Sequence, residues 1–242
     1  MKSLLAALGV YAFIGAVGVA DGQDAPVKPA PAAASKYTID IDYSKSPDLK
    51  EWADTKLRPA LEEWYPIILA DLPSEGFVPP QHFTVAIADG EGAAAASGTN
   101  VMVNALFIRS QLSRGPQNES VGAVVHEAVH IAQQYGGRNR GAVPGWLTEG
   151  IADYIRWWKY EPASVRRVIR RTGRNGKPTS YTDAYATTAA FLEFCAKNYD
   201  HEIVVKLNAV GRSHTYSPEL WTKYTGKSLD DLWAEFAQTL KP

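Results

Sequence analysis

The stretch "VVHEAVHIAQQYGG" (residues 124–137) contains a glutamate between two histidines that are four positions apart. Its apolar residues recur at helical spacing, which predicts a helix. In a helix, residues four apart differ by about 40° around the axis and by about 6 Å along it, so His126 and His130 can converge on one metal ion. Glu127 then lies close enough to contact a water on that ion without ligating it, as expected for H-E-x-x-H on a helix.

A metal centre of this kind needs a third protein ligand, because catalytic Zn²⁺ takes three protein ligands and keeps a fourth position for water. The pattern H-E-x-x-H-x-x-G-x-x-H requires glycine in place of Gln133 and histidine in place of Gly136, so it is excluded. The next helical stretch, "LTEGIADYI", supplies Glu149, nineteen positions after His130. We therefore predict a Zn²⁺ site with His126, His130 and Glu149 as ligands.

Asp153 follows Glu149 by one helical turn and lies on the same face of that helix. Its carboxylate is suited to accept the free ring N–H of a ligating histidine, which fixes the histidine tautomer; whether Asp153 is itself a ligand stays open. The alternative to a metal site is a buried helix. That core would have to neutralise several desolvated polar groups, so the metal site is favoured.

The strand patterns come before most of the helical ones. "KYTIDIDYS", "HFTVAIADG" and "TNVMVNALFI" predict three strands, and the Gly- and Ala-rich "GEGAAAASG" is expected to join the last two. "SPDLKEWADTKLRPALEEWYPIILADL" predicts a long helix that bends near Pro59 or Pro66. The order predicts an α+β domain, in which a small N-terminal sheet and a long helix precede a mainly helical half that carries the metal site.

Local signals predict where the helices of the second half begin and end. Asn118 is the expected N-cap of the motif helix, and Gly136–Gly137 its stop. The next helix is expected to begin at Pro144. Three further helices are predicted over "TDAYATTAAFLEFCAKNY", over "HEIVVKLNAV" and after Ser217-Pro218, and a last one begins at Ser228.

The N-terminal residues predict export. Residues 1–20 resemble a cleavable signal peptide, with a transmembrane anchor as the alternative, and residues 21–36 form a Pro/Ala-rich flexible spacer before a single domain over 37–242. We expect no stable membrane insertion after cleavage, and a secreted or periplasmic location. Cys195 is the only cysteine, so no intramolecular disulfide is possible, and its helical setting predicts a buried thiol. The 25 basic and 26 acidic residues indicate no nucleic-acid partner.

The chain resembles the plant basic secretory protein family and its bacterial relatives, a group of secreted zinc peptidases. The resemblance is carried by "VGAVVHEAVHIAQQYGG", "PGWLTEGIADYIRWWKYEP" and "YATTAAFLEFC", and extends over residues 37–240. It implies a zincin-like fold, with His126, His130 and Glu149 as metal ligands and Glu127 as the catalytic residue. Plant members are often basic, whereas this chain has a net charge of −1.

These features predict hydrolysis of peptide bonds by a metal-activated water, with Glu127 as general base. Tyr185 is a candidate donor to the developing oxyanion, or else a core or rim tyrosine. A peptide substrate is expected to pair with an exposed strand edge, for which "TNVMVN" is the candidate. The aromatic residues of the predicted helix that carries Glu149 either line a subsite or pack in the core. They are Trp146, Trp157, Trp158 and Tyr160.

Two other functional classes stay open. One is a secreted binding or defence-type protein that keeps the zinc fold with little turnover, although an acid–base residue beside an open coordination position argues against it. The other is a zinc amidase or aminopeptidase that acts on cell-wall or other peptides. An aminopeptidase needs acidic groups to hold the free amine of its substrate, and no motif in the sequence supplies them.

Overall fold

A small mixed sheet forms one side of the described structure. The computed structural model describes residues 37–115, 118–136, 143–171 and 180–240. Its strands lie in the order β1-β2-β4-β3, where β1 and β2 run parallel to β4 and β3 runs antiparallel to it. The strands are β1 (Thr38–Asp42), β2 (His82–Ala88), β3 (Ala94–Ser97) and β4 (Asn100–Asn104).

Helices make up most of the remaining described chain. They are α1 (Lys50–Trp52), α2 (Arg58–Asp71), α3 (Ala105–Leu112), α4 (Ser120–Gln133), α5 (Gly145–Tyr154), α6 (Val165–Arg171), α7 (Tyr185–Asn198), α8 (Ile203–Arg212), α9 (Glu219–Thr225) and α10 (Leu229–Thr239). A wide π-helical turn, Ala53–Leu57, joins α1 to α2, and a second one, Ile155–Tyr160, extends α5. The prediction of an α+β fold with a small sheet and a mainly helical remainder is confirmed.

The long helix predicted before β2 consists of α1, the π-helical turn and α2. The wide turn ends directly before Arg58 and Pro59, whereas Pro66 lies inside α2. Pro59 lies in the first turn of α2, where no N–H is needed, whereas Pro66 inside α2 removes one helix hydrogen bond without ending the helix. The departure from regular α-helix therefore falls near Pro59, the first of the two predicted positions.

Two predictions around the third strand are wrong. The stretch expected to be a connector contains β3, because pairing with β4 makes a strand of alanines that have little intrinsic strand preference. The predicted strand "TNVMVNALFI" stops at Asn104, whose side-chain Oδ1 accepts a hydrogen bond from the backbone N–H of Leu106 at 3.0 Å and begins α3. Helix α6 was also not predicted.

The core lies between the inner face of the sheet and helices α2 and α4. Helix α4 is buried on nearly all sides, since only Val121 and His130 of its fourteen residues are even partly accessible. Burial of this kind stabilises a helix through its packing rather than through its own propensity. The helix that carries the histidine motif is therefore a central element of the fold. Cys195 on α7 is buried, as predicted, and burial raises the pKa of its thiol.

Several predictions lie outside the described residues. They include the signal peptide, the spacer and Gly137. Within the described part of the chain, no helix is long and apolar enough to cross a membrane.

Candidate metal centre

Local structure marks both ends of the motif helix α4. At its start, the N-cap is Glu119, one residue after the predicted Asn118. Asn118 Oδ1 nevertheless accepts hydrogen bonds from the backbone N–H of Ser120 at 3.1 Å and from its hydroxyl at 2.8 Å. At its end, Gln134 adopts the left-handed conformation with φ 47°. The helix therefore stops at Gln133, before the predicted glycine stop; Gly136 is also left-handed, with φ 70°.

Three side chains converge where α4 meets α5. His126 Nε2 lies 3.0 Å from Glu149 Oε2, His130 Nε2 lies 3.3 Å from the same oxygen, and the two Nε2 atoms are 3.1 Å apart. These are the three ligands predicted from the spacing, and together they form a group that could hold a metal ion. The identity of the metal does not follow from this geometry.

Each histidine has a different partner on its other ring nitrogen. Asp153 Oδ1 lies 2.7 Å from His126 Nδ1, as the one-turn spacing from Glu149 predicted. His130 Nδ1 lies 2.6 Å from Gln133 Oε1 instead. Sequence reasoning missed Gln133, which it considered only as a mismatch to another motif, although its position three residues after His130 places it on the same helical face.

The electrostatics of the cluster fit a bound cation. Burial alone would lower the pKa of His126, but hydrogen bonds with Asp153 and Glu149 raise it to about 9. Burial would raise the pKa of Glu149, but hydrogen bonds with both histidines lower it to about 2. Both Nδ1 atoms face oxygens that accept hydrogen bonds, so two neutral imidazoles would turn the lone pairs of both Nε2 atoms toward each other at 3.1 Å, and a positive charge between them or on one of them relieves this repulsion. A nitrogen, nitrogen, carboxylate donor set is one that divalent transition metals accept.

Glu127 is buried beside this cluster. Only 8% of the residue is exposed, and burial raises the pKa of its carboxyl group. The backbone N–H of Ala96 on β3 faces the carboxyl group and offsets part of this rise. A carboxylate with a raised pKa at a cleft wall is suited to take up a proton during a reaction.

A cleft passes the cluster on both sides and is bounded by β3. One lobe, of about 440 Å³, extends from Glu127 past Ala123 to Arg156 and Tyr185. The other, of about 370 Å³, extends past Gln134 and Thr148. The lobes share Ala96, His130 and Glu149.

The prediction of the exposed strand edge is wrong. The stretch "TNVMVN" forms β4, which lies between β2 and β3 and so cannot be an edge. The edge along the cleft is β3.

Tyr185 lies at this cleft, at the first turn of α7. Its ring stacks on the ring of His126 with 6.1 Å between centroids, and 55% of the residue is exposed. Ala184 and Tyr185 have φ values of 63° and 49°, an uncommon conformation for non-glycine residues that turns the side chain toward the cluster. The negative charges of Glu149 and Glu127, together with partial burial, raise the pKa of the phenol.

The four aromatic residues of α5 and of the π-helical turn that extends it pack away from the residues that line the described cleft. Trp146 packs on Trp221 and Tyr181, Trp158 on Tyr154, and Tyr160 on Trp64. Trp157 is buried, and its indole N–H donates to Asp153 Oδ2 at 3.0 Å. Of the two predicted roles of these aromatic residues, a subsite or core packing, core packing is the right one.

The fold and the cluster define an α+β protein with a cleft whose His126, His130 and Glu149 side chains could hold a metal ion. A model of the family described as "Peptidase of plants and bacteria" matches residues 46–236, so the chain belongs to that family. This confirms the resemblance found in the sequence. No curated protein and no solved structure matches the chain.

Proposed function

We propose that the protein is a zinc-dependent metallopeptidase with a zincin-like fold, exported from the cell. The observation that carries this proposal is the convergence of His126, His130 and Glu149 next to the buried carboxyl of Glu127. Membership of a peptidase family supports peptides or proteins as substrates. The signal-like residues 1–20 support export, and N-terminal sequencing of the protein recovered outside the cytoplasm tests it.

His126, His130 and Glu149 would hold zinc, which supplies Lewis acidity for a peptide carbonyl and an attacking water. Glu127 takes the proton of that water on its carboxylate and passes it to the leaving amine. The raised pKa of Glu127 favours uptake of this proton. The Tyr185 hydroxyl is the candidate donor to the developing oxyanion, because its ring lies beside His126 and much of it is accessible.

Strand β3 is suited to bind an extended peptide. The N–H of Ala96 points to Glu127 and so away from β4. Alternate residues of a strand direct their backbone groups to the same edge, so Ala94 also faces the cleft. Side chains of alanine size allow another strand to approach closely. Backbone pairing along β3 would bring a peptide bond next to the cluster.

The shape of the cleft favours cleavage inside a chain over removal of N-terminal residues. An aminopeptidase closes one end of its cleft with acidic groups that bind the free amine. Here the cleft continues on both sides of the cluster. Besides Glu127 and Glu149, the charged residues that line the larger lobe, among the described ones, are Arg156 and Asp153, and the Asp153 carboxylate is already bound by His126 and Trp157. We therefore propose an endopeptidase.

The test compares the purified protein with Glu127→Gln and Glu149→Gln for zinc content and for hydrolysis of casein. We expect about one zinc per chain in the parent, weaker zinc binding in Glu149→Gln, and full zinc content without turnover in Glu127→Gln. Zinc binding without turnover of a broad peptide set would favour the binding-protein class. A parent that binds no zinc would rule out the proposal.

A further inference from the structure

We infer that Gln133 is a positioning residue, which sets the tautomer of His130 and ties it to the helix that carries Glu149. The inference rests on the proposed metal site. Gln133 lies in the last turn of α4, is 1% exposed, and reaches both metal helices with the two ends of one amide group.

The hydrogen bonds of this amide allow only one arrangement. The backbone carbonyl of Thr148 can only accept, so the Nε2 group of Gln133, 3.0 Å away, donates to it. The Oε1 atom must then be the one that faces His130 Nδ1 at 2.6 Å. Because Oε1 can only accept, the proton of His130 lies on Nδ1. The lone pair of Nε2 therefore points to the cluster, as a metal ligand requires.

The same amide links the two ligand-bearing helices. Thr148 directly precedes Glu149, so the hydrogen bond to its carbonyl restrains the backbone next to the third ligand. Gln133 is itself held from the other side, since the Arg212 guanidinium donates to its backbone carbonyl at 3.3 Å. Rotation of the Gln133 side chain would leave the Nδ1–H of His130 and the carbonyl of Thr148 without these partners. The position of His130 relative to Glu149 therefore depends on this residue.

His126 provides an internal reference for this role. A carboxylate, Asp153, holds its Nδ1, whereas a neutral amide holds that of His130. Both arrangements leave Nε2 free for the metal and both join α4 to α5, through Asp153 itself for His126 and through the amide bond to the Thr148 carbonyl for His130. Loss of Gln133 should therefore disturb His130 and leave the tautomer of His126 intact.

The test measures the zinc dissociation constant by chelator competition, together with NMR of ¹⁵N-labelled histidines in the zinc-loaded protein. We expect Gln133→Met, which keeps the size of the side chain, to weaken zinc binding by about 10–100-fold. It should also remove the protected Nδ1–H signal of His130 while that of His126 persists. Gln133→Glu keeps the acceptor oxygen for His130 but loses the donor to the Thr148 carbonyl, so it should retain the His130 signal and bind zinc with an affinity between those of the parent and Gln133→Met.

The matched control is Asn208→Ala, because Asn208 is a buried amide that binds Tyr135 and Leu72 and touches no ligand. It should lower the melting temperature without changing the zinc dissociation constant or either histidine signal. Gln133→Met with parental affinity and an intact His130 signal would overturn the inference, and so would Gln133→Glu that loses this signal. Absence of zinc from the parent would instead contradict the proposed metal site.

Discussion

Helix α4 contributes to two buried polar networks that differ in how their negative charges are neutralised. Before its first turn, Glu119 binds Arg167 and accepts from Arg156 at 3.4 Å, and Arg156 also donates to Glu161 at 3.3 Å. In this network guanidinium groups of the chain neutralise the carboxylates. It needs no ligand from outside, and buried pairs of this kind are costly to break by removal of one partner.

Among the described residues, the second network, in the middle of α4, has histidines where the first has arginines. Three carboxylates, those of Glu127, Glu149 and Asp153, surround two imidazoles whose Nε2 atoms face each other. Trp157 separates the two networks, since its indole N–H binds Asp153 and the Arg156 guanidinium lies over its ring at 4.0 Å from the centroid. Two neighbouring networks of one fold thus differ in charge balance. Where arginines face the carboxylates, the charges are neutralised; where histidines face them, the network can accept an added cation.

The strongest test of this contrast removes a histidine ligand. We expect His130→Ala to weaken zinc binding by about 10²–10³-fold, because one of four coordination positions carries roughly a quarter of the ~10–16 kcal/mol of a zinc site. Chelator competition measures the change. His82→Ala is the matched control, since His82 is exposed and pairs with Asp40 on the sheet. Equal zinc affinities of the two variants would contradict the assignment.

Breaking the other network should cost stability and leave zinc binding unchanged. Arg156→Met leaves the partly buried carboxyl of Glu161 without the guanidinium that binds it, and we expect a loss of about 3 kcal/mol in the free energy of unfolding. Urea denaturation with zinc in excess measures it. The double variant Arg156→Met/Glu161→Gln should recover part of the loss, and a double variant as unstable as the single one would argue against this cause.

Without a metal, the cluster should make stability depend on pH. Because the folded pKa of His126 is raised from 6.5 to about 9, protonated His126 stabilises the metal-free protein fully below pH 6.5, and this contribution disappears as the pH rises through 9. The loss should reach about 3 kcal/mol. Urea denaturation over this range, with chelator or with zinc, should show the decrease only in the metal-free protein, because zinc displaces the proton. A stability that stays constant or rises without metal would contradict the prediction.

A smaller effect is expected from the partner of His126. Asp153→Asn should weaken zinc binding by about 10–100-fold, since the amide orients the imidazole less strongly than the carboxylate does. The same chelator competition measures it. Trp157→Phe, which removes the indole N–H that binds Asp153 together with part of a buried ring, should have a weaker effect in the same direction, and the reverse order would mean that Asp153 acts through packing.

Features that depend on local spacing could be predicted well. The i, i+4 pairs His126/His130 and Glu149/Asp153 lie as expected, because the geometry of a single helix relates them. The sites of β1 and β2 and the starts of α5 and α10 also agree with the sequence patterns. In each case the deciding signal lies within a few residues of the element itself.

Features that depend on pairing between distant segments were missed. The alanines of β3 show no strand pattern of their own, and only their register with β4 makes them the edge of the cleft. Gln133 carries no visible signal until Thr148 is brought to its amide. The contact of Arg156 with Glu119 joins residues 37 positions apart, which no short motif records.

By itself, the sequence determined which residues form the candidate metal centre and which helices present them, because helical periodicity orders side chains over four or five residues. Only the tertiary structure decided which strand borders the cleft, which group orients His130 and which buried charges are already neutralised. Those outcomes depend on the packing of α4 against β3, α5 and the residues around Arg156. Packing is a property of the whole chain, so a local pattern does not contain it.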